Sequence, residues 1–509
     1  MENIKPINIL NKKPFGYLLP QGINVARLSD GSPHPVNSTT LKFQEIDQIE
    51  FLRELDPRSH KIFDSNWYQN DKKQDPDTGR WYWYPVERCA LPFQYIIKTK
   101  QLTHLCGNNI QFTDSNQNPS DTDRDLLINF KQAWKNKNME VAWYDSANSV
   151  KCTGDVAFCG YLADNVFGYR IFSFFEGDIL YPHYNYVTGK MDVFGREYSR
   201  YNLNGKEVEK ILEVWDNKKM YRFKRDTKPG IKKAIKYILE LFGLDDGWSL
   251  EYEEFHGFPF MPISYHRNKY GACWTFIQPQ IEQYEKDFSR YLEVNKSNVR
   301  PIIVITGDDV EIKGDADKPI TSIVTGAGGD AKRIPAGEVS QSYENQLKIQ
   351  RENIFMGAFV VLPPEARSGD ESGISIKIKY SPAIEQAMAD ANEYNPFVDE
   401  MVKIFKYGYS VEVGKVAEYQ TMNITGEIIP FIHQNESEIM QSLMTGVSAG
   451  YLSKESAAQE CPYSANDEMR RLKEQMKSEL AVNSITDVMY SSNKDKEGET
   501  EVIEKTEAA

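Results

Sequence analysis

Residues Ser340 to Gly408 constrain this chain more than any other stretch. Tyr343, Leu347, Ile354 and Ala358 recur near helical spacing, while Glu344, Lys348, Arg351 and Glu352 fill the opposite face. This pattern predicts a helix from Val339 to Ala358. The connection that follows, Leu362 to Gly373, carries Pro363 and Pro364, which stop a helix, and Gly369 and Gly373, which keep the backbone adaptable. Ile374, Ile378, Ile384, Met388 and Ala391 then resume a helical stripe, with an interruption expected at Pro382. Asn395 and Pro396 have the residue types of an N-cap and first turn. Phe397, Val398, Met401, Ile404 and Phe405 carry the stripe onward to Gly408, the expected C-terminal stop.

Composition enters as a bound on function. A chain of 509 residues has room for about three domains. Hydrophobic residues are 40% and charged residues 26%, an ordinary globular balance able to bury large cores. The formal net charge of −14 argues against wrapping DNA tightly, which needs many Lys and Arg on phosphates. It leaves open a channel through which DNA slides without sticking. No apolar run approaches the roughly 18 residues of a spanning helix, and the first residues lack the apolar core of a signal peptide, so cytoplasmic synthesis is expected. The six cysteines form no CxxC pair and the seven histidines are scattered, the pattern of reduced thiols rather than a metal site.

Residues 1 to about 50 read as an irregular arm rich in Asn, Pro, Gly and Ser, ending in an amphipathic helix over Gln44 to Leu55. Asn70 to Arg80 reads as a polar loop. The aromatic run Trp81 to Tyr84 has no interleaved Lys or Arg, which favours core or subunit packing over stacking on nucleobases. Phe93, Ile96, Ile97 and Lys100 share one side of a helix that Gly107 ends. Asp121, Asp123 and Asp125 have calcium-loop spacing, but Leu126 and Gln132 stand where such a loop needs Gly and Glu, so they read as carboxylates at a helix N-terminus. From Gly168 to Arg225 the pattern alternates, with hairpin turns at Gly189 and at Asp216-Asn217, which indicates an antiparallel α+β domain. Ile277, Ile281, Tyr284, Phe288, Tyr291 and Val294 form one stripe on a helix from Thr275 to Asn298. Near the Gly-rich run at 326–329, Lys332 is followed by Arg333 rather than Ser or Thr, so the run is no nucleotide loop. His256 stands alone, without a nucleophile partner.

Several short runs share an order with a known family. Phe93 to Phe112 is similar to its "apolar-x-x-Ile-Ile-x-x-Lys" helix and following strand. His256-Gly257-Phe258 with Pro262-Ile263 resembles its "HGF" bridge, Ser372-Gly373-Ile374-Ser375-Ile376-Lys377 the opening of its long helix, and Gly450 to Ala458 its "Ser-Lys-Glu" turn with Ser453 as N-cap. Over roughly residues 88 to 475 the chain thus resembles tailed-bacteriophage portal proteins, including those of crAss-like phages.

The resemblance implies an α+β, multidomain, ring-forming portal-type fold. Its parts would be an N-terminal arm and wing edge (1–87), a mixed α/β wing (88–266), a first stem helix (267–300), a small α/β clip (301–337) and a second stem helix (338–360). A tunnel loop (361–373), a long kinked helix with wing return (374–436), a helical crown (437–482) and a mobile acidic tail (483–509) would follow. It implies a homo-oligomer of twelve subunits that meets the major capsid protein, terminase and head–tail adaptors at a capsid vertex and passes double-stranded DNA. By the same resemblance Arg367, Ser368, Gly369, Asp370, Lys348 and Arg351 would face the DNA, and Lys332 and Arg333 would face docking partners. No catalytic residue, cofactor, metal or membrane contact is expected. The rival reading is a hydrolase, acting on nucleic acid or glycan, with carboxylates that one sequence does not show converging. The apolar stripes of the two stem helices are expected to need a neighbouring protomer to cover them.

Overall fold

Aromatic side chains far apart in sequence converge on one long helix. Phe405 meets Trp134 at 5.1 Å, Phe130 at 5.2 Å and Phe167 at 5.3 Å between ring centroids, all edge-to-face. In this computed structural model the described residues are 17–25, 39–46, 48–74, 78–116, 120–184, 188–226, 249–298, 303–306, 311–313, 322–324, 329–333, 341–362, 373–431, 436–461, 471 and 474–477. They divide into two units, residues 1–364 with 381–431, and residues 365–380 with 432–509.

The helices of the described residues are α1 (Gln48–Leu55), α2 (Phe93–Cys106), α3 (Asp121–Asn136), α4 (Met139–Thr153), α5 (Gln278–Asn298), α6 (Gln341–Gly357), α7 (Gly373–Glu412), α8 (Val416–Thr421), α9 (Glu436–Ser448) and α10 (Lys454–Glu460). The first unit holds an antiparallel five-stranded sheet whose order is Ser249–Phe255, Lys219–Asp226, Glu207–Trp215, Met191–Tyr201, Ile179–Tyr184. A three-stranded sheet places Asp155–Ala163 between Ile263–Arg267 and Val166–Phe172. Ile424–Glu427 returns to pair with Gln111–Asp114, so the strand expected after the long helix does rejoin the earlier part of the chain. The fold is α+β, as the alternation and the hairpins indicate.

Between α5 and α6 two strand pairs nest. Ile303–Thr306 pairs with Asp330–Arg333, and Glu311–Lys313 pairs with Ser322–Val324. In the second unit Ser453 caps α10, its Oγ accepting from the Ser456 amide at 3.0 Å. The carboxylates at the start of α3 also behave as expected. Ser120 and Asp123 form a reciprocal capping box, and Asp121 and Asp123 sit in the helix's first turn.

Four local expectations are corrected. α7 is one continuous helix through Pro382 and Pro396, not a helix, a break and a second helix. An interior proline costs about 3 kcal/mol. Phe397, Val398 and Met401, all buried, are each worth about 1.5–3 kcal/mol in return. Asn395 is no N-cap; its Oδ1 accepts from the Ile428 amide at 3.3 Å and ties the return strand to the helix. Gly408 does not end α7. A Cβ there would lie 2.1 Å from the Phe167 ring, so the glycine permits close approach of the strand Val166–Phe172. Trp81 to Tyr84 is a strand paired with Asp71–Gln74, inside what reads as a loop, and it is not core: Trp81 is 62% and Trp83 60% exposed. Lys72, from the paired strand, lies 5.6 Å above the Trp83 ring.

Candidate functional site

Helices α5 and α6 pack on each other through their stripes. Ile277, Ile281 and Tyr284 are buried with Leu347, Ile354 and Phe355 of α6 in one core that also takes in Phe93 and Ile97 of α2. A ladder of rings runs along the seam. Phe93 meets Tyr284 edge-to-face at 5.3 Å, Tyr284 stacks on Phe288 at 6.0 Å, and Tyr291 stacks on Tyr343 of α6 at 6.0 Å. Polar contacts fix the register. The Tyr343 hydroxyl donates to the Asp287 carbonyl at 2.8 Å, Gln350 Nε2 donates to Asp287 Oδ2 at 2.9 Å, and the Tyr291 hydroxyl donates to Glu344 at 3.1 Å. The expectation that a neighbouring protomer covers these stripes is therefore corrected. Each stripe covers the other, and only Val294 near the end of α5 is largely exposed, at 47%.

The opposite side of α5 is clad by the segment that follows α1. Lys61 pairs with Glu282 at 2.8 Å, the Cys89 amide donates to Ser289 Oγ at 3.0 Å, and the Glu87 amide donates to Glu293 Oε2 at 3.1 Å. Lys296 pairs with Glu87, and the Lys286 ammonium sits 3.6 Å over the Trp67 ring. At the centre of this seam His60 is buried. Its Nε2 lies 2.7 Å from the Glu54 carbonyl oxygen and its Nδ1 2.7 Å from Glu285 Oε1, which also accepts the Leu91 amide at 2.9 Å. Both acceptors are satisfied when both ring nitrogens carry protons. Burial pulls the imidazole's pKa down, but the contacts to Glu285 and Glu54 outweigh it and the net direction is upward. Glu54 accepts from Trp274 Nε1 at 2.9 Å, and burial pushes its carboxyl up to about 7.

With α5 covered on both sides, α6 presents the free face of the pair. Lys348 and Arg351 lie there, one turn apart and exposed, beside the exposed Glu352, while Glu344 takes the Tyr291 hydroxyl at the edge of the seam. The Arg351 guanidinium sits 6.0 Å over the Phe355 ring. Lys332 is exposed on the strand Asp330–Arg333 and pairs with Asp330 at 3.6 Å, while Arg333 pairs through its backbone with Ile303. Lys348 and Arg351 share one helix, whereas Lys332 and Arg333 belong to the nested strands. Arg367, Ser368, Gly369 and Asp370 lie outside the described residues. Sequence reading missed the cladding of α5 by residues 60–91. Its only trace there is a set of polar side chains between the apolar positions of α5, Glu282, Glu285, Ser289 and Glu293.

Among the described residues no group of three or more His, Cys, Asp or Glu side chains is arranged to hold a metal ion. No described helix is long and apolar enough to cross a membrane. Cys152 and Cys159 are buried thiols that burial pushes up to about 12, unlike reactive thiolates. His256 closes a turn, its Nε2 facing the Asp216 carbonyl at 3.1 Å and its Nδ1 accepting the Phe258 amide at 3.2 Å.

A nested β insert between two packed helices, followed by a long helix and set beside antiparallel sheets, is the element order that the portal resemblance implies. A family model described as phage portal protein, SPP1 Gp6-like, matches residues 58–480. The chain belongs to this phage portal protein family. No curated protein matches the chain. A solved structure described as the neck of an empty GTA particle computed with C6 symmetry shares 10% identity. That likeness covers 72% of this chain and 88% of the other, at a TM-score of 0.39, too distant to add to the family match.

Proposed function

We propose that this portal protein assembles as a closed ring of twelve copies at one capsid vertex and forms the channel through which double-stranded DNA is packaged and ejected. The observation that carries the reading is the asymmetry of the helix pair. α5 is covered by α6 on one side and by residues 60–91 on the other, whereas α6 leaves its Lys348 and Arg351 face free. Repeated around a ring, that face offers cations to passing phosphates, while Glu352 beside them limits the grip.

The domain assignment follows the same reading: wing 88–266, clip 301–337, tunnel loop 361–373 and crown 437–482, with Arg367, Ser368, Gly369 and Asp370 in the loop. The nested strands with Lys332 and Arg333 are the docking surface for terminase and head–tail adaptors, and the wing faces the major capsid protein. The protein has no catalytic activity of its own, and a separate motor supplies the work.

The test has two parts. Electron micrographs of the purified protein are expected to show rings with a central opening. Deleting Ala366 to Asp370 is expected to leave rings and proheads assembled while DNA packaging or retention fails. A monomer under all salt conditions would overturn the ring, and full infectivity of the deletion would overturn the loop's role.

A further inference from the structure

Helix α6 ends in a conformation that its sequence does not favour. The Phe359 amide donates to the Met356 carbonyl at 3.0 Å and the Val360 amide to the Phe355 carbonyl at 2.9 Å, the two bonds of a Schellman ending. That ending places one residue in the left-handed region, a position glycine usually fills. Here it is Phe359, at φ 55°, although Gly357 stands only two residues earlier. An aromatic residue keeps this backbone only where the surroundings over-determine it.

The surroundings do so through a buried polar chain. Gln101 Nε2 on α2 donates to the Ala358 carbonyl at 2.9 Å. Lys151 Nζ on α4 donates to Gln101 Oε1 at 3.0 Å and to Asp390 Oδ2 on α7 at 2.5 Å. Asp390 Oδ1 accepts from Gln386 Nε2 at 3.0 Å. Gln101, Lys151 and Asp390 are all buried, as are Ala358 and Val360 on either side of the strained residue. One carbonyl at the end of the free-faced helix is thus wired to three other helices. The buried Lys151 ammonium carries three donors, of which Asp390 and the Gln101 carbonyl oxygen take two. The amide of Gln101 is what extends the pair to the backbone of α6.

We infer that Gln101, Lys151 and Asp390 are positioning residues that hold the C-terminal end of α6 in its left-handed turn, and so fix where the channel-facing helix ends in each subunit. The inference rests on the channel reading above for its functional half and on geometry alone for its structural half.

The test uses full-length rings of the variant Gln101→Met, which keeps the side chain's length and removes both hydrogen bonds. Hydrogen exchange at Phe359 and Val360 is expected to speed up about tenfold or more, while Phe130 and Trp134 in the aromatic core of α3 keep their protection. DNA packaged per assembled head is expected to fall severalfold. Equal loss of protection in α3, or none at residues 359–360, would overturn the brace. Faster local exchange with normal packaging would overturn its functional role. If the purified protein stays a monomer under all salt conditions, the channel reading fails while the brace stands. Should Gln101→Met fail to fold, Gln101→Glu carries the same expectations. It keeps an acceptor for Lys151, and in place of the donor to Ala358 it sets a carboxylate oxygen against that carbonyl.

Discussion

The seam between α1 and α5 makes the protein's stability depend on pH in a direction that can be worked out. Glu54 titrates at 4.5 in an exposed chain and at about 7 in the fold, because burial disfavours its charged form. Between those values the folded protein keeps a proton that the unfolded chain releases, so stability falls as pH rises through the window. Carrying the carboxyl from 4.5 to about 7 corresponds to about 3 kcal/mol. Glu54 is only half-buried, so solvent screening makes this a ceiling. His60 acts with the same sign. Its pKa is raised in the fold, so the stability it contributes is complete below 6.5 and is lost as pH climbs through its folded value.

The decisive variant is Glu54→Gln. The amide oxygen still accepts from Trp274 Nε1, and no charge remains to be desolvated. At pH 5 the variant and the parent are expected to match closely. At pH 8 the variant is expected to be more stable at this seam by up to about 3 kcal/mol. The assay is hydrogen exchange of the α1 amides and the first turn of α5, corrected for the intrinsic pH dependence of exchange. If the parent's protection is constant or rises from pH 5 to pH 8, and the variant does not exceed it at pH 8, the reasoning is refuted.

Three further outcomes are expected. His266 packs its ring against Tyr394 in a tilted pair at 4.3 Å, and burial, with the Lys151 charge, pushes its pKa down to about 4. Stability therefore falls as pH drops from 6.5 toward 4, and His266→Phe, which keeps the ring contact, should flatten that acid limb in thermal melts. Gly408→Ala puts a methyl group 2.1 Å from the Phe167 ring and should cost about 1–3 kcal/mol in denaturant titration of the α7 core. Lys348→Glu with Arg351→Glu should leave ring assembly and melting temperature unchanged, because both side chains are exposed, yet lower DNA packaged per head in a quantitative packaging assay.

Much of this architecture is legible in the chain because it is written in local patterns. The stripes on α5 and α6, the capping box at Ser120 and the hairpin turns all depend on residues within a few positions of one another. What the sequence hides are the places where distant residues overrule a local preference. Pro382 and Pro396 read as breaks, and α7 runs through both because buried side chains such as Val398 and Met401 outweigh the lost hydrogen bonds. Gly408 reads as a stop and is a clearance for Phe167.

The same distinction explains why the stripes of α5 and α6 read as exposed. A stripe states that a helix has an apolar side, not which neighbour covers it. Once α6 covers that side, the informative residues of α5 become the ones between the stripe positions, Glu282, Glu285, Ser289 and Glu293. Each takes a partner from residues 60–91, and together they turn a helix with one obvious face into one with two occupied faces. Under the proposed channel, that occupancy leaves α6 rather than α5 to face the DNA. It also means that subunits in a ring must meet through surfaces other than these two stripes.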